Sequence, residues 1–212
     1  MRGRFISFEG GEGCGKSTQI QHTSDWLVSC GVQVCATFEP GDGLLGKEIR
    51  QLLLSKQFKP VAGAELMLFL ADRAQHVHET ILPALDEGKW ILCDRYSDST
   101  VAYQMAGRGI ESAEISPLIR FAESACRPDL SLWLDMPVED ALSRMRQRSP
   151  KGEERNRLDD ETLYFHQRVR DGYEQIFHRE PERIYRVNAA GDIAEVQNRI
   201  QSILVDRFAD LR

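Results

Sequence analysis

The sequence predicts an α/β fold in which a parallel sheet of about five strands is covered by helices on both faces. Short apolar runs typical of buried strands alternate along the chain with stretches whose apolar residues recur at helical spacing. A glycine-rich segment separates the first strand from the first helix. The chain has 212 residues and is 42% hydrophobic, which favours one domain, 1–212, with a full core.

The predicted elements follow in a regular order. The strands are expected at Phe5–Phe8, Val32–Phe38, Trp90–Cys93, Leu130–Asp135 and Arg183–Val187. The helices are expected at Lys16–Ser29, in a short stretch ending at Leu54, and at Leu66–Leu85, Phe165–Ile176 and Ile193–Leu204. Because ligands bind at the carboxyl ends of parallel strands, the residues that follow the strands should gather at one edge of the sheet.

Residues 10–17 form G-G-E-G-C-G-K-S, a complete G-x-x-x-x-G-K-[ST] phosphate loop between a strand and a helix. Its glycines let backbone N–H groups face a phosphate, and the helix N-terminus adds positive partial charge. Lys16, expected in an exposed loop, would reach the β- and γ-phosphates, and the Ser17 hydroxyl would bind Mg²⁺. The alternative is a strand–helix turn that matches the motif by chance. The predicted ATP-binding residues of the loop are Gly10, Gly11, Glu12, Gly13, Cys14, Gly15, Lys16, Ser17 and Thr18.

Composition excludes several classes of partner. A net charge of −6 argues against a nucleic-acid polymer, and no apolar stretch approaches membrane-spanning length. The five cysteines include no C-x-x-C pair, which is typical of reduced thiols in a cytoplasmic protein. Among them, Cys14 is expected to be the most reactive, because it lies near a helix N-terminus.

Later segments carry a more specific signal than the phosphate loop. They are T-F-E-P-G (37–41), L-M-L-F-L-A-D-R-A-Q (66–75), D-R-Y-S-D-S-T-V-A-Y-Q (94–104), G-R-G-I (107–110) and R-P-D-L-S-L-W-L-D (127–135). With the loop F-E-G-G-E-G-C-G-K-S-T, they resemble the bacterial thymidylate kinase family over nearly the whole chain. The resemblance implies a three-layer phosphate-loop NTPase fold with a short basic lid. It also implies transfer of the ATP γ-phosphoryl group to dTMP, Mg²⁺ dependence and a homodimer.

The resemblance also implies roles for residues on the acceptor side. The dTMP-binding residues would be Glu12, Glu39, Pro40, Phe69, Arg73, Arg95, Ser99, Tyr103 and Gln104. Phe69 and Arg73 share a helix face, so the ring could stack on a pyrimidine while the guanidinium bonds its carbonyl edge. Core packing of Phe69, and an ion pair of Arg73 with Asp72 or Glu65, are the alternatives. Gln104 can donate and accept at once, which suits a base edge.

Tyr103 could exclude a ribose 2′-hydroxyl, and Glu12 could bind the dTMP 3′-hydroxyl. In Asp94-Arg95, the resemblance implies that Asp94 helps to hold Mg²⁺ and that Arg95 binds the dTMP phosphate. A surface ion pair with Asp94 as a helix N-cap is the alternative. Asp135 ends a strand as a Walker B acid would, although a strand-to-helix turn explains it equally well.

Residues 144–157 hold six cations in a chain that is acidic overall, and Ser149-Pro150-Lys151-Gly152 breaks their helical pattern. This predicts a mobile basic lid, with a solvated charged face as the alternative. We expect Arg148 to act on the transferred phosphoryl group, together with the catalytic Lys16, Asp94 and Arg95. Arg144 and Arg157 would bind ATP.

Phe38 and the histidines of the predicted helix at Leu66–Leu85 stand outside the roles given above. Phe38 stands where bacterial relatives often have arginine, so acceptor-phosphate binding is either weakened or passed to Arg95 and the lid. His76 and His78 diverge on their helix and are expected at the surface.

Other functions compatible with the sequence are a kinase for another deoxynucleotide or a deoxynucleoside, and a non-catalytic nucleotide-dependent switch. No asparagine is followed by lysine, which argues against a guanine-reading switch.

Overall fold

Five parallel strands in the order β2-β3-β1-β4-β5 form the central sheet of the computed structural model, which describes residues 2–148 and 161–211. The strands are β1 (Phe5–Glu9), β2 (Val34–Phe38), β3 (Trp90–Asp94), β4 (Leu130–Asp135) and β5 (Ile184–Asn188). The predicted parallel sheet is therefore confirmed.

Helices connect the strands and cover the sheet. They are α1 (Lys16–Ser29), α2 (Gly43–Leu54), α3 (Ala62–His76), α4 (Leu82–Asp86), α5 (Ser97–Thr100), α6 (Ser112–Glu123), α7 (Val138–Arg148), α8 (Leu163–Arg179) and α9 (Ile193–Arg207). Two π-helical turns, Val77–Ile81 and Val101–Gly107, follow α3 and α5. No helix in the described ranges is long and apolar enough to cross a bilayer.

Alternation along the buried strands places two separate cores on the two faces of the sheet. Ile6 and Phe8 point to the face covered by α1 and α9, where Leu27 and Ile200 complete the core. Phe5 points to the opposite face, which is covered by α4, α8 and the two π-helical turns. Both faces are therefore dry, which explains why the strands are continuous apolar runs. The predicted three-layer α/β fold is confirmed.

Several observed boundaries differ from the predicted ones, and two of the differences have a local structural cause. Strand β2 begins at Val34 and not at Val32, because the backbone N–H of Val32 bonds to Leu27 O (3.0 Å) and so belongs to the end of α1. The predicted helix at Leu66–Leu85 is interrupted by the π-helical turn Val77–Ile81. The helical direction continues through this turn into α4, so the apolar spacing alone did not reveal the change.

The strand order creates a crevice at the carboxyl end of β1. Strand β1 pairs with β3 on one side and with β4 on the other, although β2 follows it in the sequence. The connections after β1 and β3 therefore leave toward opposite sides, which opens the sheet edge between them. The phosphate loop, 10–17, and the Asp94-Arg95 segment both lie there.

A buried cluster of charged groups joins the end of β2 to α3. The Nδ1 atom of His76 lies 2.8 Å from Glu39 Oε1, and its Nε2 lies 2.6 Å from Thr37 Oγ1. The expectation that His76 is a surface residue is wrong, because only 2% of it is exposed. Asp72 Oδ1 accepts from the backbone N–H of Gly41 (3.1 Å) in the same cluster. His78 is exposed, as expected.

The cluster predicts a pH dependence of stability that Asp72→Asn should weaken. Burial and the neighbouring Glu39 charge raise the pKa of Asp72 to about 7, so the folded state prefers the protonated carboxyl. This stabilisation is complete below the unfolded-state pKa and is lost as the pH rises through about 7. Urea unfolding at pH 5 and pH 8 should show a smaller fall in unfolding free energy for the variant than for the wild type. An equal fall in both proteins would contradict the assignment.

Candidate active site

A cavity of about 670 Å³ opens at the carboxyl ends of β1, β2 and β3. Most predicted site residues line it: Glu12, Gly13, Gly15, Lys16, Ser17, Glu39, Pro40, Phe69, Arg73, Asp94, Arg95, Ser99, Tyr103 and Gln104. Gly10, Gly11, Cys14, Thr18 and Arg144 are not among the residues lining the cavity. The structure thus brings the phosphate loop and the predicted acceptor residues to one space.

The phosphate loop adopts a backbone that requires glycine. Gly13 has a φ of 77°, and a Cβ atom there would lie 2.0 Å from Ala141 O. Lys16 is 7% exposed, so the expected exposed position is wrong. Its Nζ donates to the carbonyl oxygens of Gly10 and Gly11 at 3.2 Å each. These contacts hold the ammonium over the loop, at the cavity.

Ser17 and Asp94 lie together at the base of the cavity. The Ser17 hydroxyl donates to Asp94 Oδ2 at 2.9 Å, and Lys16 Nζ lies 4.0 Å from Asp94 Oδ1. Two oxygen ligands suit Mg²⁺, which usually binds few protein groups and keeps waters or substrate phosphates. No group of three or more acidic, histidine or cysteine side chains in the described ranges forms a metal site by itself. The pair therefore fits an ion that arrives with a nucleotide.

Asp135 does not join this pair. Its carboxylate accepts from Arg170 Nε at 2.8 Å and from Arg186 Nε at 2.8 Å. Burial opposes the charge of Asp135, but the bonds from both arginines lower its pKa below the usual range. The Walker B interpretation is therefore wrong for Asp135, whose charge is already neutralised by protein cations.

Arg95 links the phosphate loop to the π-helical turn after α5. Its guanidinium lies 2.6 Å from Glu12 Oε1, donates to Tyr103 Oη at 3.0 Å and to Gly10 O at 3.0 Å. Burial disfavours the Glu12 carboxylate, but the charges of Arg95 and Lys16 outweigh it and lower the Glu12 pKa to about 2. Glu12 is thus ionised at neutral pH and balances two cations that face the cavity.

The wall formed by α3, α5 and the following turn carries the predicted acceptor side chains. Phe69 is only partly buried and lines the cavity, so it does not belong to the closed core. Ser99 Oγ donates to Glu9 Oε2 at 2.6 Å and lies 2.8 Å from Tyr173 Oη. Burial and the nearby Asp98 raise the pKa of Glu9 to about 7. Phe69 and the hydrogen-bonded Ser99 therefore line the same cavity.

Arg73 is held by partners that the sequence did not indicate. Its Nε and Nη2 lie 2.9 and 2.8 Å from Glu39 Oε2, and Nη1 donates to Thr100 Oγ1 at 2.7 Å. Its guanidinium also stacks on Tyr96, with 4.9 Å to the ring centroid. The alternative of a pair with Asp72 or Glu65 is wrong. Glu39, which lies 34 residues away in the sequence, orients Arg73 in the cavity wall.

Two further residues of the site were missed in the sequence. Arg50 lines the cavity, donates to Pro40 O at 2.6 Å and stacks on Phe38 at 5.6 Å. It places a cation next to Phe38. Arg108 pairs with Glu65 beneath Gln104. Arg50 lies in a predicted helix, and Arg108 belongs to the G-R-G-I segment. Neither signal identifies the residues that these arginines contact, because those residues lie elsewhere in the sequence.

Cys14 and Arg144, at the start of the predicted lid, both contact other parts of the chain. Cys14 is 3% exposed and packs in the core, so the expectation that it is the most reactive thiol is wrong; Cys30 is the exposed one. Arg144 donates to Ala189 O (3.2 Å) and Gly191 O (3.4 Å), after β5. The lid prediction covers 144–157, of which the side chain of Arg148 and all of Arg157 lie outside the described residues.

Comparison with known proteins agrees with this architecture. The family model described as Thymidylate kinase matches residues 8–200. A thymidylate kinase of Nostoc punctiforme is 47% identical over 206 residues, covering 96% of each chain. One of Syntrophus aciditrophicus is 46% identical over 200 residues, covering 92% of this chain and 91% of its own. One of Carboxydothermus hydrogenoformans is 49% identical over 176 residues, covering 83% and 85%. The chain belongs to the thymidylate kinase family.

Proposed function

We propose that this protein is a dTMP kinase, which transfers the γ-phosphoryl group of ATP to dTMP and releases dTDP and ADP. The observation that carries the proposal is one cavity lined both by a phosphate loop and by an aromatic–guanidinium wall, Phe69 and Arg73. Membership of the family and a sequence identity of 43–49% to curated thymidylate kinases support it. Since all five cysteines are free, we place the reaction in the cytoplasm.

In this reaction a phosphate oxygen of dTMP attacks the γ-phosphorus, and the bond to the β-phosphate oxygen breaks. The protein contributes position and positive charge, because phosphoryl transfer needs little covalent help. Lys16 neutralises charge on the β- and γ-phosphates as it develops. Arg95 binds the acceptor phosphate with its planar fork. Arg50 replaces the cation that is missing at Phe38.

Mg²⁺ would be held by Ser17 and Asp94 and would supply positive charge to the ATP phosphates. Glu12 is held ionised beside Arg95 and is our candidate for the dTMP 3′-hydroxyl. Tyr103, which packs behind the Arg95 guanidinium at 4.8 Å, is our candidate for excluding a 2′-hydroxyl. Arg144, Arg148 and Arg157 stay predictions as cations that close over ATP.

We further propose a homodimer formed through the outer face of α2 and α3. These two helices and the residue before α3 expose large apolar side chains: Leu44 (85%), Leu45 (47%), Leu52 (42%), Val61 (74%) and Met67 (53%). Exposed apolar patches of this kind mark interaction surfaces. Light scattering should give a mass of twice the 24.1 kDa chain, and Leu44→Glu should shift it toward the monomer. A monomeric wild type would contradict this proposal.

The substrate can be tested with a coupled ADP-release assay against a panel of nucleoside monophosphates. We expect the highest kcat/KM for dTMP. A preference over dUMP rests on one methyl group, worth about 1–3 kcal/mol. Preference for a purine monophosphate, or for a nucleoside, would support another acceptor. Nucleotide binding without ADP release in the presence of any acceptor would support a switch.

Lys16→Ala should abolish phosphoryl transfer and leave the fold intact. The ammonium serves the β- and γ-phosphates, so we expect a loss in kcat on the order of 10³-fold, or ~4 kcal/mol of transition-state stabilisation. Steady-state kinetics and the melting temperature should be measured on the same preparation. Lys89→Ala, at the opposite edge of the sheet before β3, is the control and should retain full activity. A folded Lys16→Ala variant with normal turnover would refute the role of the loop.

Arg73→Lys should separate substrate binding from structural support. The lysine keeps a charge beside Glu39 but cannot bond Glu39 and Thr100 while also reaching a base carbonyl. We expect kcat/KM for dTMP to fall by about one to two decades, or roughly 1–3 kcal/mol, while the KM for ATP stays unchanged. A lower melting temperature with unchanged dTMP kinetics would show that Arg73 serves Glu39 alone.

A further inference from the structure

Glu65 is a buried charged residue behind the wall of the cavity that would face the base of the acceptor nucleotide. It lies on α3 and is 1% exposed. Its Oε1 accepts from Arg108 Nε at 2.9 Å, and its Oε2 accepts from Arg108 Nη2 at 3.1 Å. The two-point contact balances the carboxylate charge, since a buried carboxylate needs a cationic partner. Glu65 can therefore remain an acceptor-only group at this depth.

The same carboxylate fixes the orientation of the Gln104 side-chain amide. Gln104 Nε2 donates to Glu65 Oε1 at 3.0 Å, and Gln104 is only 2% exposed. Turning the amide over would set its carbonyl oxygen against a carboxylate oxygen, with no proton between them. One N–H of the amide is thus committed to Glu65, which fixes the side of the amide that carries the oxygen. Because Gln104 lines the cavity, its carbonyl oxygen is the acceptor left for a ligand.

Arg108 is itself held in place by α8 and the residues before it. It contacts Glu161 at 2.6 Å and lies over the Phe165 ring, 4.5 Å from its centroid. Arg108 cannot easily turn away from Glu65 while both contacts persist. Arg108 thus holds Glu65, and Glu65 orients the Gln104 amide. The orientation of Gln104 is therefore set by these contacts and not by the ligand.

We propose that Glu65, held by Arg108, is a positioning residue that makes Gln104 a hydrogen-bond acceptor and so selects thymine and uracil over cytosine. The inference rests on the proposed function, because it takes Gln104 as a contact of the acceptor base. Thymine and uracil carry an N3–H donor beside a C4 carbonyl. Cytosine carries an N3 acceptor beside a C4 amino group. An acceptor at Gln104 and a donor at Arg73 match the first pair and oppose the second.

Glu65→Gln tests the proposal with little change in shape. The new amide can donate or accept, so Gln104 is free to turn and present its NH₂ group to a base. We expect the ratio of kcat/KM for dTMP to kcat/KM for dCMP to fall at least about tenfold, through loss of dTMP turnover and gain of dCMP turnover. The KM for ATP should not change. Glu114→Gln, an exposed change on α6, is the matched control and should leave the ratio at its wild-type value.

The double variant Glu65→Gln/Arg108→Gln guards against a folding defect, because it removes both buried charges together. It should show the same fall in the dTMP:dCMP ratio. Glu65→Asp retains an acceptor-only carboxylate and should keep the preference for dTMP even if turnover falls. A folded Glu65→Gln or double variant with the wild-type ratio, whatever its melting temperature, would overturn the proposal. A wild type without dTMP turnover would instead refute the proposed function.

Discussion

The buried carboxylate of Glu39 is the point on which the acceptor side of the cavity depends. It is shared between Arg73 and His76, with contacts of 2.8–2.9 Å, and its side chain is 2% exposed. A buried charge is tolerated only when cations and hydrogen-bond donors surround it. Meeting that requirement fixes the end of β2 against α3. It also holds Arg73 in one orientation in the wall of the cavity.

The donor side depends on the sheet order and on the phosphate loop. Because β1 lies between β3 and β4, the loop after β1 opens beside the end of β3. Asp94 ends β3 and Arg95 follows it, so these two residues contact Ser17 and Glu12. Charges of opposite sign alternate around this edge. Lys16 and Arg95 are thus held in place at the cavity before any anionic ligand arrives.

Local sequence patterns accounted for most of the fold and for the phosphate loop, while the family resemblance supplied the other predicted residues that line the cavity. Apolar periodicity and the glycine-rich motif act over a few residues, so strands, helices and the phosphate loop were predictable. The errors at His76, Asp135 and Arg73 share one cause, which is a partner distant in the sequence. His76 is buried by Glu39, 37 residues away, and Asp135 is neutralised by Arg186, 51 residues away. No local pattern reports such pairings, and the same holds for Glu65 behind Gln104.

The central claim is that the cavity transfers a phosphoryl group between two bound nucleotides. Phosphorus-31 NMR of the protein mixed with ATP, Mg²⁺ and dTMP measures this directly. The account predicts that the γ-phosphate signal of ATP disappears while the signals of ADP and dTDP rise in equal amounts. Formation of ADP and inorganic phosphate with dTMP unchanged would show hydrolysis without transfer and would contradict the account.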